Sequence, residues 1–301
     1  MAATLYSIQT ANVRKTWLLM IIFTAFVVVV AWAFNMYYGQ PFFLYIGVVI
    51  SVTMSFISYW KSDKIALSIA GAKPAKKEEY YDLYTMTENL AITAGLPMPR
   101  LYVIADSAPN AFATGRDPEH GVVAVTQGLL DMLDKSEIEG VVAHELAHIK
   151  NRDTLLQTAV IVLVGLLSLL ADWFLHISLF GGGNRDNKSG PLAIVGIVLI
   201  VLSPIVATII QLSISRRREY LADASAALMT RYPEALANAL LKIEGTHQDT
   251  KKAHSATAHL YFSNPFRSKE KQGFIQGLFQ THPPTAKRVA NLRGIDVEEI
   301  E

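Results

Sequence analysis

Between Thr16 and Trp60 the chain carries no Asp, Glu, Lys or Arg, and a second charge-free run extends from Ser189 to Ser215. About 20 apolar residues suffice to cross the hydrocarbon core of a bilayer, so both runs predict membrane spans. The first is long enough for two, residues 17–34 and 41–60, hinged at the turn formers of "NMYYGQ". Residues 154–173, uncharged until Asp172, predict a third span, and residues 191–212 a fourth. Arg14 and Lys15 ahead of the first span look like the start of a secretory signal. The apolar stretch behind them exceeds a signal core of about 7 to 15 residues and a second span follows at once, so a retained anchor is expected.

Two polar stretches remain, residues 61–153 and 216–301, and they are expected to assemble into one domain. The predicted order is a tail and first hairpin (1–60), a first half-domain (61–153), a second hairpin (154–215) and a second half-domain (216–301). Within the first half, "EEYYDLYTMTENLAITAGL" places Tyr80, Leu83, Tyr84, Leu90 and Ile92 at helical spacing and stops at Gly95 and Pro97. "RLYVIAD" reads as a short strand, and "NAFATG" and "GVVAVTQ" as a pair of strands separated by the polar turn "RDPEH". "SEIEGVVAHELAHIKNRDTLL" then reads as one helix, with Ser136 and Glu139 as its capping box and Ile138, Val141, Val142, Leu146 and Ile149 along one apolar face. The expected fold is a mainly α-helical integral membrane protein with four transmembrane helices and an α+β domain holding a small β-sheet.

Composition agrees with spans: 51% of residues are hydrophobic and 18% charged, against about 25% charged in soluble domains. Lys and Arg cluster at the start of the first span, the end of the second (Lys61, Lys64), the start of the third (Lys150, Arg152) and the end of the fourth (Arg216, Arg217, Arg218). By the positive-inside rule these four ends, the polar domain and both termini are cytoplasmic in a multi-pass protein of the cell membrane. Arg185 and Lys188, in the opposite loop, are a weaker dissent. The run Arg216 to Arg218 is read first as a topology signal and a contact for lipid headgroups. The absence of cysteine fits a reducing compartment, and a net charge of +1 gives no sign of a nucleic-acid partner.

Chemistry concentrates in "VVAHELAHIKNRD". On a helix His144 and His148, four apart, project from one face and can aim a ring nitrogen at a single ion. Glu145 beside the first histidine is placed to take a proton from a metal-activated water, which implies peptide-bond hydrolysis. With eight His and fourteen Glu in 301 residues, a chance HExxH arises in about one shuffled chain per hundred, so the motif carries weight. Zinc hydrolases need a third protein ligand. An antiparallel hairpin of the third and fourth spans would bring Glu219, in "SRRREYLADASAA", beside the histidines. Asp223, one turn further on, is then placed to accept a hydrogen bond from a ligand histidine. One Zn2+ per chain is the cofactor expected.

Through "HELAHIKNRD", "RRREYLADASAA", "PNAFATGR" and "THPPTAKR" the sequence resembles the HtpX family of integral-membrane zinc metalloproteases, relatives of the prenyl-protein endopeptidases. The resemblance implies a zincin-like (gluzincin) domain with His144, His148 and Glu219 as ligands and Glu145 as catalytic base. It implies an endopeptidase that cleaves membrane or misfolded proteins in quality control. It also implies that Asn110, Ala111, Phe112 and Ala113 form a sheet edge against which substrate lies, and that His282 and Arg288 approach the site and stabilise an oxyanion. His120, His176, His247, His254 and His259 are read as surface or packing residues. Three rival readings fit the sequence less well. A purely structural zinc leaves Glu145 without use, a prenyl-protein processing protease needs a chamber of more than four spans, and a transporter would place charged pairs mid-membrane. Substrates, oligomeric state and other partners have no signature in the sequence.

Overall fold

The N-terminal apolar run folds as two long helices, α1 (Leu5–Tyr38) and α2 (Phe42–Ala70), joined at Gly39, whose φ of 63° needs no Cβ. The computed structural model describes residues 5–160, 216–246, 262 and 283–294. The helices are antiparallel: Trp17 stacks on Tyr59, the Thr24 and Ser55 hydroxyls lie 3.2 Å apart, and a Cβ on Gly47 would stand 2.3 Å from that of Ala31. Met20, Phe23 and Val27 form the seam, while Trp17, Leu18, Ile21, Val29, Trp32, Val49 and Phe56 are exposed. Both helices are long and apolar enough to cross a membrane, over Gln9–Trp32 and Leu44–Ala70, and only 28% and 17% of their most apolar windows are buried in the protein. A core helix of a soluble domain would be buried, so these apolar faces suit lipid. Of the third predicted span, residues 154–160 are described and are helical; the remainder and the fourth span lie outside the described residues.

α2 does not stop at Trp60, where the pattern placed the end of the span, but continues to Ala70. Its last turns cover a four-stranded sheet of order β1–β2–β4–β3, with β1 Ala72–Pro74, β2 Arg100–Ile104, β3 Ala111–Thr114 and β4 Val122–Thr126. β2 and β4 are parallel; β1 pairs antiparallel with β2, and β3 with β4. Alternation along the strands explains why both faces are apolar. Ile104, Phe112, Val122 and Ala124 pack on Ala66, Leu67 and Ala70 of α2, and Leu101, Val103, Ala113, Val123 and Val125 face the main core. β1 was not anticipated, being three residues long with a terminal proline.

The second layer is helical: α3 (Tyr81–Ala94), α4 (Gln127–Met132), α5 (Lys135–Lys150), α6 (Arg216–Thr230), α7 (Pro233–Glu244) and α8 (Thr285–Arg293). α5 runs through the middle, packed by the sheet, α3, α6 and α7. Gly140 lets α7 approach closely, since a Cβ there would lie 3.0 Å from the Leu236 nitrogen. The capping box of α5 is Asp134 with Glu137, two residues before the expected Ser136 and Glu139; both carboxylates meet the partner backbone N–H. The chain then breaks where one continuous helix was expected. Asn151 caps α5, Arg152 adopts φ 56°, and a separate helical segment begins at residue 153.

Candidate metal centre

α5 presents His144 and His148 one turn apart, and α6, packed beside it, presents Glu219 and Asp223 one turn apart. All four are buried, as is Glu145. One ligand atom from each of His144, His148 and Glu219 lies within 4.8 Å of the others. The histidine Nε2 atoms are 3.1 Å apart, and they stand 3.8 and 3.5 Å from the two Glu219 oxygens. Bonds of 2.0–2.1 Å to a tetrahedral ion put its ligand atoms about 3.3 Å apart, so the three fit one zinc-sized ion.

The far side of each ring supports this fit. His144 Nδ1 lies 2.9 Å from Asp223 Oδ1, and His148 Nδ1 donates to Asp153 Oδ2 at 3.0 Å. With the proton fixed on Nδ1 of each ring, two Nε2 lone pairs face each other across 3.1 Å, an arrangement that calls for a cation between them. The charge balance points the same way. Among the described residues of this cluster, the buried carboxylates Glu145, Asp153, Glu219 and Asp223, when ionised, exceed the buried guanidiniums Arg218 and Arg288 by two charges, the complement of a divalent ion.

Without an ion the two rings diverge. Burial pushes the His144 pKa down to about 4 despite Asp223. Burial also opposes protonation of His148, but the hydrogen bond to Asp153 and the charges of Glu219, Asp153 and Glu145 outweigh it and lift the pKa to about 9. Desolvation likewise opposes ionisation of Asp223, yet the Arg288 guanidinium and the His144 ring hold its carboxyl below the usual carboxylate range.

Arg288, on α8, grips Asp223 with Nε at 2.8 Å and Nη2 at 2.6 Å. Its Nη2 also lies 3.4 Å from His144 Nδ1, and Nη1 lies 4.0 Å from Glu219. It therefore stands behind the His144 ring, deeply buried. His282 lies outside the described residues. Ala111 to Ala113 belong to edge strand β3, all buried, and Asn110 brackets its start by pairing with Thr126 through both main chain and hydroxyl. On the outer side of β3 the Phe262 N–H donates to the Ala111 carbonyl at 2.8 Å, and the Phe262 ring meets His144 edge-on at 5.1 Å.

Two participants were not singled out beforehand. Asp153 is five residues from His148, which on an unbroken helix is about 140° round the axis, so only the Arg152 break turns its carboxylate back to the ring. Arg218, read as a headgroup contact, is instead buried, with Nε 3.7 Å from Asp153 Oδ1, while Arg216 and Arg217 remain exposed.

Comparison with known proteins agrees with this geometry. The pattern of peptidase family M48 matches residues 77–296. The chain is 43% identical to a protease HtpX homolog of Caldanaerobacter subterraneus subsp. tengcongensis, over 98% of this chain and 99% of that one. It is 48% identical to one of Pyrococcus furiosus, over 84% and 86%. The crystal structure of S. mikatae Ste24p shares the fold at a TM-score of 0.50 and 20% identity, covering 95% of this chain and 67% of that one. A buried His-His-Glu cluster beside apolar helices and a family match over most of the chain lead to one conclusion: the chain belongs to peptidase family M48 and is a membrane-associated metallopeptidase.

Proposed function

We propose that this peptidase is a zinc endopeptidase with its catalytic unit on the cytoplasmic face of the cell membrane, acting on membrane or misfolded proteins as a quality-control enzyme. The observation that carries the reading is the convergence of His144, His148 and Glu219 donor atoms within 4.8 Å, with Glu145 buried next to the first of them. Nitrogen and oxygen donors at tetrahedral spacing in a cysteine-free chain suit zinc.

Zinc held by these three residues would polarise the scissile carbonyl and acidify the attacking water. Glu145 takes the proton of that water and passes it to the departing amine. Asp223 and Asp153 keep the rings of His144 and His148 turned so that Nε2 faces the ion. Arg288 holds Asp223 in that pose.

Substrate lies along β3. Hydrogen-bonded pairs alternate along an antiparallel ladder, and because Asn110 pairs inward with Thr126, Ala111 and Ala113 turn their main-chain groups outward; the Ala111 carbonyl is held by the Phe262 N–H, so substrate pairs at Ala113. An extended polypeptide is bound there through its backbone, with little demand on its sequence. Four spans in two hairpins support the unit, and Gln9 on α1, bonded to the Lys150 carbonyl at 2.7 Å, is consistent with the start of the first span lying on its side of the membrane.

The test is an ordering of variants in zinc content and casein-type proteolysis, measured side by side on detergent-solubilised protein. Glu219→Gln keeps size but removes the anionic oxygen, and should lose both zinc and activity. Asp223→Asn should weaken both by about 10- to 100-fold, the usual effect of losing the partner of a ligand histidine. Glu145→Gln should keep zinc and lose activity. Normal zinc and turnover in Glu219→Gln would place the third ligand elsewhere.

A further inference from the structure

Asn12, on α1, is remote in sequence from the metal centre and yet hydrogen-bonded into its surroundings. Its Nδ2 donates to Asp153 Oδ1 at 2.7 Å and to the Asn151 carbonyl at 3.0 Å, and its Oδ1 accepts from Arg218 Nη1 at 3.2 Å. The amide is buried, and so are Asp153, His148 and Arg218. A buried amide is costly unless satisfied, and here both ends are used in one sense only: the nitrogen towards a carboxylate, the oxygen towards a guanidinium.

We propose that Asn12 is a positioning residue of the metal centre: it pins the Asp153 carboxylate that orients His148, so the N-terminal membrane helix is part of the active site as well as its anchor. The proposal rests on His148 being a metal ligand. Oδ2 of Asp153 pairs with His148, and Oδ1 takes its hydrogen bond from Asn12, with Arg218 Nε further off at 3.7 Å. Because a carboxylate is planar, fixing Oδ1 sets the direction of Oδ2 and hence the plane of the His148 ring. Arg218 precedes Glu219 on α6, so the same amide also touches the helix that carries the third donor. One side chain of α1 thereby spans both halves of the site.

A plain docking role for α1 would be served equally by Gln9, one turn earlier, which bonds the Lys150 carbonyl at 2.7 Å and touches neither Asp153 nor Arg218. That contrast supplies the control. Zinc affinity of the full-length protein in detergent is measured by competition with a fluorescent chelator for wild type, Asn12→Ala, Gln9→Ala, Asp153→Ala and the Asn12/Asp153 double variant. Asn12→Ala should weaken zinc about tenfold, the low end of what loss of an outer partner costs a histidine site. Gln9→Ala should stay within about twofold, and on the Asp153→Ala background the Asn12 effect should shrink to less than about twofold, since residues acting through one another are not additive.

Cobalt titrated into metal-free protein gives a second readout, and its visible bands should shift in Asn12→Ala and not in Gln9→Ala. If Asn12→Ala does not fold, Asn12→Ser, which keeps a small donor, replaces it in the same cycle with the same criteria. Wild-type affinity in the Asn12 variant, an additive double variant, or an equal loss in Gln9→Ala would each overturn the proposal. Glu219→Gln, run alongside, separates the two ideas: zinc bound there as tightly as in wild type refutes the metal centre itself, whatever Asn12 does.

Discussion

His144 and His148 are neighbours on one helix face, yet their surroundings pull their proton affinities apart. His148 faces three carboxylates and has a metal-free pKa lifted to about 9 from 6.5, whereas burial drives His144 down to about 4. The proton on His148 occupies the place that a cation would take. Metal uptake must therefore expel it at any pH below about 9. At pH 7.5 zinc added to metal-free protein should release about one proton per ion, and zinc affinity should strengthen about tenfold per unit of rising pH until it levels off above about 9. A pH indicator in weak buffer measures this directly, and uptake with no release would contradict it. Asp153→Ala removes a main support of the raised value and should release less.

At the scale of elements, the start of α5 shows how a tertiary contact chooses between two local solutions. Asp134 with Glu137 and Ser136 with Glu139 both satisfy capping-box spacing. The helix starts from Asp134 because Glu137 is then buried against Lys242 of α7, with Nζ 2.6 Å from Oε2, while Ser136 merely donates to Asp134 at 2.8 Å. Asp134→Ala should cost about 1 kcal/mol, and Ser136→Ala well under half of that, read as shifts in the denaturation midpoint of the metal-free protein. Equal shifts would mean that Ser136 does the capping. The other end of α5 had no such alternatives in its pattern. "HIKNRDTLL" suits an unbroken helix, and only packing of Thr154 to Val160 inside the fold forces the turn at Arg152.

For the whole molecule, the decisive feature is that α2 passes without interruption from lipid-suited surface to the cover of the sheet. Leu67 and Ala70 pack on Phe112 and Val122, and Asp63 pairs with Arg100 of β2 at 2.7 Å. Hairpin and catalytic unit are therefore joined by one continuous helix, and the tip at Gly39 and Gln40 lies at the opposite end of the helices. In this cysteine-free chain, Gln40→Cys should react with an impermeant maleimide on intact cells, and Lys77→Cys only after permeabilisation; both positions are exposed. The reverse pattern would put the catalytic unit outside the cell.

The linear pattern sufficed to group residues that are neighbours within a turn and to place apolar runs by bulk polarity. His144, Glu145 and His148 are within one turn of a strongly patterned helix, Glu219 and Asp223 likewise, and the charge-free run from Thr16 to Trp60 predicted the two helices that carry it. Strands with regular alternation, such as "GVVAVTQ", were equally legible, whereas the three-residue β1 was too short to have a period. What the tertiary structure alone decided are contacts between chain segments far apart or out of phase. Asp153 reaches His148 through a left-handed residue that no periodicity announces, Arg218 turns inward while its two arginine neighbours stay out, and Asn12 meets Asp153 across 141 positions. The physical reason is one of range: helix and strand periods encode which side of an element a residue takes, and the partner waiting on that side is set by packing of the whole chain.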